Sequence, residues 1–189
     1  MKIRSLSRLA LFAALVFGQW LAGPGAAWAQ AAQSATESQV KAAFLFKFAG
    51  FTEWPAGTFQ RPDQPLVIAV SGDDEVAADL ERMVAGRTLE GRPVGVRRLS
   101  EGGSDSAAHV LYLASRREAR LRDAIEAVDG PVLVVTEKPG ALRLGSVLNF
   151  STEAGRLRFS VSLTAAERRK LKLSARLLAV AQAVEGRSR

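Results

Sequence analysis

An α/β fold is predicted for this 189-residue chain: a single domain with a mostly parallel sheet flanked by helices, a C-terminal antiparallel hairpin and a long C-terminal helix. Three observations predict it. From Pro65 onward, short apolar runs alternate with amphipathic stretches of helical period, the mark of strands joined by crossover helices. On both sides of Glu153-Ala154 the apolar residues change to a period of two, as paired antiparallel strands with one wet face require. Beyond Thr164 the helical period returns.

The N-terminal segment precedes the domain. Met1 to Arg8 carries Lys2, Arg4 and Arg8, Leu9 to Leu21 is almost entirely apolar, and Ala27-Trp28-Ala29 places small residues where a signal peptidase reads. Residues 1–29 are therefore predicted to be a cleaved secretory signal peptide. The apolar run is shorter than the ~20 residues that cross a bilayer, and Gly23-Pro24-Gly25 interrupts it, so stable membrane insertion is not expected. Residues 30–37 read as a flexible Ala-, Ser- and Gln-rich leader, 38–185 as the folded domain and 186–189 as a tail.

Each element has its own signal. Thr36 ahead of Glu37 and Gln39 can cap a helix on which Val40, Phe44, Phe48 and Phe51 recur, and Trp54-Pro55 ends it because the residue before proline disfavours helical dihedrals. Phe46 falls off that stripe and needs a second surface. Leu66 to Val70 is strand-like, Asp74 to Val84 helical, Pro93 to Leu99 an edge-type strand and His109 to Leu113 a buried strand. Arg116 to Val128 is helical, and Pro131 to Thr136 is an apolar run between turn formers. Ser146 to Thr152 and Gly155 to Leu163 form the hairpin, the second run setting Leu157, Phe159, Val161 and Leu163 against Arg156, Arg158, Ser160 and Ser162. Thr164, with Glu167 three residues later, is predicted to cap the last helix. Its wheel puts Leu171, Ser174, Leu177, Leu178, Ala181 and Val184 on one side and a stripe of Arg168, Lys172 and Arg176 on another.

Composition excludes several chemistries. The chain has no cysteine, which removes disulfides, thiol catalysis and thiolate metal sites. Its formal charge of +7 falls to +4 without Lys2, Arg4 and Arg8, too small and too dispersed for nucleic-acid binding. His109 is the sole histidine, has no carboxylate at ligand spacing and reads as structural; no metal or other cofactor is expected. No Gly-x-Ser-x-Gly elbow accompanies it. Ser71-Gly72-Asp73-Asp74 follows the first strand of the sheet, where α/β folds bind ligands, but its carboxylates cap the next helix and repel anions. A non-enzymatic protein that works through its surfaces is the expectation. Two surfaces qualify: the aromatic first helix, through Phe46, Phe51 and Trp54, and the Arg168, Lys172, Arg176 stripe, which Arg156 and Arg158 extend.

The ordered set Val40 to Pro55 (VKAAFLFKFAGFTEWP), His109 to Leu113, Pro131 to Thr136, Gly145 to Phe150, Gly155 to Phe159 and Ser162 to Leu178 resembles the YfiR family over roughly residues 38 to 184. The resemblance implies a periplasmic α/β protein that can form a homodimer and that restrains an inner-membrane diguanylate cyclase by holding its periplasmic sensor domain, which links it to cyclic di-GMP signalling and biofilm regulation. Two departures stand out. Ala108 occupies a position where family members often carry cysteine, so disulfide-based redox sensing is lost, and Ser162 replaces a polar amide at the end of the hairpin. The alternative is a small-ligand module feeding a receptor kinase or transporter, with its crevice at Ser71, Gly72, Asp73 and Thr136.

Overall fold

A computed structural model describes residues 35–186; the predicted signal peptide 1–29, leader residues 30–34 and tail residues 187–189 lie outside the described residues. The first helix, α1 (Glu37–Gly50), starts at a full capping box: the Gln39 N–H donates to Thr36 Oγ1 at 3.3 Å, and the Thr36 N–H donates to Gln39 Oε1 at 3.1 Å. Its buried face differs from the predicted stripe by about one position. Lys41, Ala42, Leu45, Phe48 and Ala49 are buried, whereas Val40, Phe44 and Phe51 are only half-buried.

The chain continues through β1 (Thr52–Glu53), β2 (Leu66–Ser71), α2 (Asp74–Val84), β3 (Thr88–Leu89), β4 (Arg92–Leu99), β5 (Val110–Leu113), α3 (Glu118–Glu126) and β6 (Leu133–Thr136). It ends with β7 (Leu148–Glu153), β8 (Arg156–Ser162), α4 (Leu163–Arg168), β9 (Lys172–Leu173), α5 (Ala175–Ala179) and β10 (Ala183–Glu185). Eight strands form one mixed sheet in the order β10-β8-β7-β6-β5-β2-β4-β3, and β1 pairs with β9 in a separate antiparallel ribbon. The pairs of β2 with β4 and β5, β5 with β6, β6 with β7, and β8 with β10 are parallel, while β7 with β8 and β3 with β4 are antiparallel. The architecture is the predicted α/β single domain.

Both faces of the central strands are covered, which is why those strands read as continuous apolar runs. Ile68, Val70, Val110, Tyr112, Leu133 and Val135 face the larger core with α1 and α2. The intervening Ala69, Leu111 and Val134 face a smaller core against Leu121, Ala124 and Ile125 of α3. Phe48 anchors the larger core, its ring centroid 4.9 Å from Phe159 and 5.6 Å from Phe150. Such aromatic pairs contribute ~0.5–1.5 kcal/mol beyond their buried area.

The long C-terminal helix does not form, and this corrects the prediction. The cap is Ser162, whose Oγ accepts the Ala165 N–H at 3.2 Å; Thr164 lies inside α4 and is exposed. The helix stops after Arg168 because Lys170 adopts φ +58. The Leu171 N–H then donates to Ala166 O at 2.9 Å and the Lys170 N–H to Glu167 O at 2.9 Å, the paired hydrogen bonds of a Schellman cap with lysine where glycine is usual. Leu171, beyond the cap, and Ala166, before it, are both buried. Ser174 restarts the chain as α5 by accepting the Leu177 N–H at 3.3 Å. Arg168, Lys172 and Arg176 thus stand on α4, β9 and α5, and there is no single-helix basic stripe.

Candidate functional site

The break between α4 and α5 assembles a composite face. Thr52 pairs with Leu173 and Glu53 with Lys172, and the Ser174 N–H donates to Phe51 O at 2.9 Å, so the C-terminal segment is stitched to the exit of α1. Thr52 is fixed from the other side by its hydroxyl, which donates to Phe48 O at 2.8 Å. The surfaces predicted as separate, the aromatic helix and the basic C-terminal stretch, therefore meet at Trp54 and Lys172. Between them lies an open cavity of ≈ 510 Å³ lined by Trp54, Pro55, Glu167, Lys170, Leu171 and Lys172, among others.

Trp54 is half-buried, and its indole lies edge-on to Phe59 and His109 with centroids 6.1 and 6.0 Å away. Its Nε1 is buried and has no hydrogen-bond partner among the described residues. Behind it the Phe59 ring stacks on His109 at 4.5 Å, and the Arg92 guanidinium lies 4.2 Å above Phe59. His109 is structural as expected: it is buried, its Nδ1 accepts the Val67 N–H at 3.0 Å, and burial, followed by the positive field of Arg92, lowers its pKa.

The remaining predicted contact residues are dispersed. Phe46 and Phe51 are half-buried against the larger core. Arg156 and Arg158 are exposed on β8, paired across the hairpin with Glu153 and Ser151. Arg168, Lys172 and Arg176 are exposed. In the alternative crevice, Ser71 Oγ donates to Ser100 O at 2.8 Å, and Thr136 Oγ1 lies 2.7 Å from Asn149 Oδ1 and 3.0 Å from Ser146 Oγ. Both hydroxyls are engaged inside the protein. Asp73 Oδ1 accepts the Val76 N–H at 3.0 Å as the α2 cap, and Gly72 occupies φ +81 at the turn.

A polar cluster that sequence reasoning missed stands at the carboxyl ends of β5 and β6. Lys41 Nζ donates to Glu137 Oε2 at 2.6 Å and lies 2.9 Å from Glu37 Oε1, and the Tyr112 hydroxyl donates to the same Glu137 oxygen at 2.7 Å. Tyr112 is fully buried and Lys41 nearly so. Burial works against the Lys41 charge, but the bonds to Glu137 and Glu37 outweigh it and raise the lysine pKa. Burial, then the Glu137 carboxylate, pushes the Tyr112 pKa far above the ordinary phenol range, so Tyr112 stays a donor. The one signal in the sequence is that Lys41 is the charged residue on the otherwise apolar Ala42, Leu45, Phe48 face.

Among the described residues, no three or more of His, Cys, Asp and Glu are grouped so as to hold a metal ion, and no helix is long and apolar enough to cross a membrane. A profile described as YfiR/HmsC-like matches residues 38–182. No curated protein matches the chain.

Proposed function

Because the chain belongs to the YfiR/HmsC-like family, we propose that it is an exported, non-catalytic regulator of cyclic di-GMP signalling that represses an inner-membrane diguanylate cyclase by binding its periplasmic sensor part. One structural observation supports this reading: β1 and β9 tie the α1 exit to the basic C-terminal segment, presenting Trp54 beside Lys172 around a groove. Within the groove Glu53 and Glu167 balance Lys170 and Lys172. The exposed Arg168 and Arg176 of the same segment supply the positive surplus that, with Trp54, suits the capture of an acidic, partly apolar protein surface. Binding need only favour one sensor conformation by a few kcal/mol to change the output of the enzyme behind the membrane.

The test separates folding from contact. Lys172→Gln removes the charge without setting a carboxylate opposite Glu53, and Arg176→Glu reverses charge at an exposed position; at such sites stability changes stay within ~0.5 kcal/mol. The expected variants are exported with unchanged melting temperature, fail to co-purify with the cyclase and release its activity. If these and Arg168→Glu all still co-purify and repress, the contact is not made by this face.

A further inference from the structure

We propose that the crevice at the carboxyl ends of β5, β6 and β7 binds a small anionic solute, a carboxylate or a phosphate monoester, whose acid group meets Arg116 and Lys138 while its apolar body rests on Leu157. This does not rest on the partner reading, because the crevice shares no residue with the Trp54 and Lys172 groove.

The cavity holds ≈ 370 Å³, within the size range of small-molecule sites, and opens where α/β sheets usually bind ligands. Its floor is pre-organised. Lys41 is clamped between Glu37 and Glu137, and Tyr112 locks Glu137 from within the core, so none of these groups must be ordered when a ligand arrives. Leu157, half-buried and paired with Thr152 across the hairpin, gives the wall an apolar patch, with the buried Phe150 beneath it.

Charge selects the class of ligand. Lys41, Arg116 and Lys138 line the cavity against Glu37 and Glu137, and Lys41 is already matched by both carboxylates. The three cations exceed the two carboxylates by one charge, and that surplus lies with Arg116 and Lys138, the two cations away from the Lys41 clamp. Arg116 is exposed and has no ion-pair partner among the described residues, and Lys138 reaches only Glu118, at a loose 3.6 Å. Next to Arg116, α3 begins at Glu118 without a side-chain cap, so its first N–H groups add to the positive potential. The Ser115 hydroxyl turns away toward Glu101 at 3.0 Å, which leaves recognition of the acid group to the two cations.

The experiment titrates the purified protein with benzoate, inorganic phosphate and uncharged benzyl alcohol at constant ionic strength, following backbone amide NMR signals. Saturable shifts at Ser115, Arg116, Glu137 and Lys138 with benzoate or phosphate, at a Kd below about 1 mM, are expected. Tighter benzoate binding assigns the site to carboxylates, and tighter phosphate binding to phosphate esters. The Arg116→Ala/Lys138→Ala double variant should keep its melting temperature and bind at least about tenfold more weakly, as loss of charge-assisted hydrogen bonds implies. The proposal is overturned if neither anion saturates in that range, if benzyl alcohol binds as well, or if binding survives in the double variant.

Discussion

Removing Glu137 should damage the fold more than removing Glu137 and Lys41 together. In Glu137→Ala the Tyr112 hydroxyl, fully buried, loses its acceptor, and the Lys41 ammonium keeps only the exposed Glu37. A buried donor left unsatisfied costs ~1–3 kcal/mol, and breaking a buried ion pair ~3–5 kcal/mol. The Lys41 side chain is 10% exposed and that of Glu137 27%, so water recovers part of the second term, and ~2–4 kcal/mol in total is expected. Lys41→Met with Glu137→Ala removes both charges, and adding Tyr112→Phe removes the orphaned hydroxyl. The triple variant should regain at least ~1 kcal/mol over Glu137→Ala alone. Urea unfolding with linear extrapolation measures each step, provided the slope is unchanged. Additive losses, with the triple variant the least stable, would show that the cluster is an ordinary surface ion pair and that the crevice floor is not pre-organised.

Other outcomes follow from single residues. Lys170→Gly should stabilise the protein by up to ~1 kcal/mol, since glycine relieves the left-handed strain at φ +58; a lower melting temperature would contradict the Schellman assignment. Leu177→Ala should cost ~2–5 kcal/mol by chemical denaturation, because its side chain is 2% exposed in the larger core; a loss under ~1 kcal/mol would place it at the surface. His109 has a folded pKa below its unfolded value, so the unfolded chain binds its proton more readily. Its contribution is therefore fully present above about pH 6.5 and declines as pH falls through that value toward the folded pKa. His109→Asn keeps an acceptor for the Val67 N–H without titrating, so the difference in melting temperature between it and the parent should change over that window; parallel curves would remove the linkage.

Local sequence determined the elements whose reasons are local. Thr36 with Gln39 starts α1, Asp73 caps an α2 that covers the predicted Asp74 to Val84, and the period of two from Leu157 to Val161 makes β8, because capping and pleat alternation depend on residues only a few positions apart. The absence of cysteine likewise decided, without any structure, that no disulfide can act here. Tertiary structure decided what local preference opposed or could not express. Residues 163–184 have the pattern of one helix, yet burying Leu171 and pairing Lys172-Leu173 with Thr52-Glu53 outweigh the cost of a lysine in the left-handed region. A two-residue ribbon leaves no period to read. The Lys41–Glu137 contact spans 96 positions and that of Tyr112 with Glu137 spans 25, so only the closure of the sheet against α1 brings them together. Long-range pairing of polar groups leaves almost no trace in a single sequence, because each partner alone looks like an ordinary helix lysine, strand tyrosine or loop glutamate.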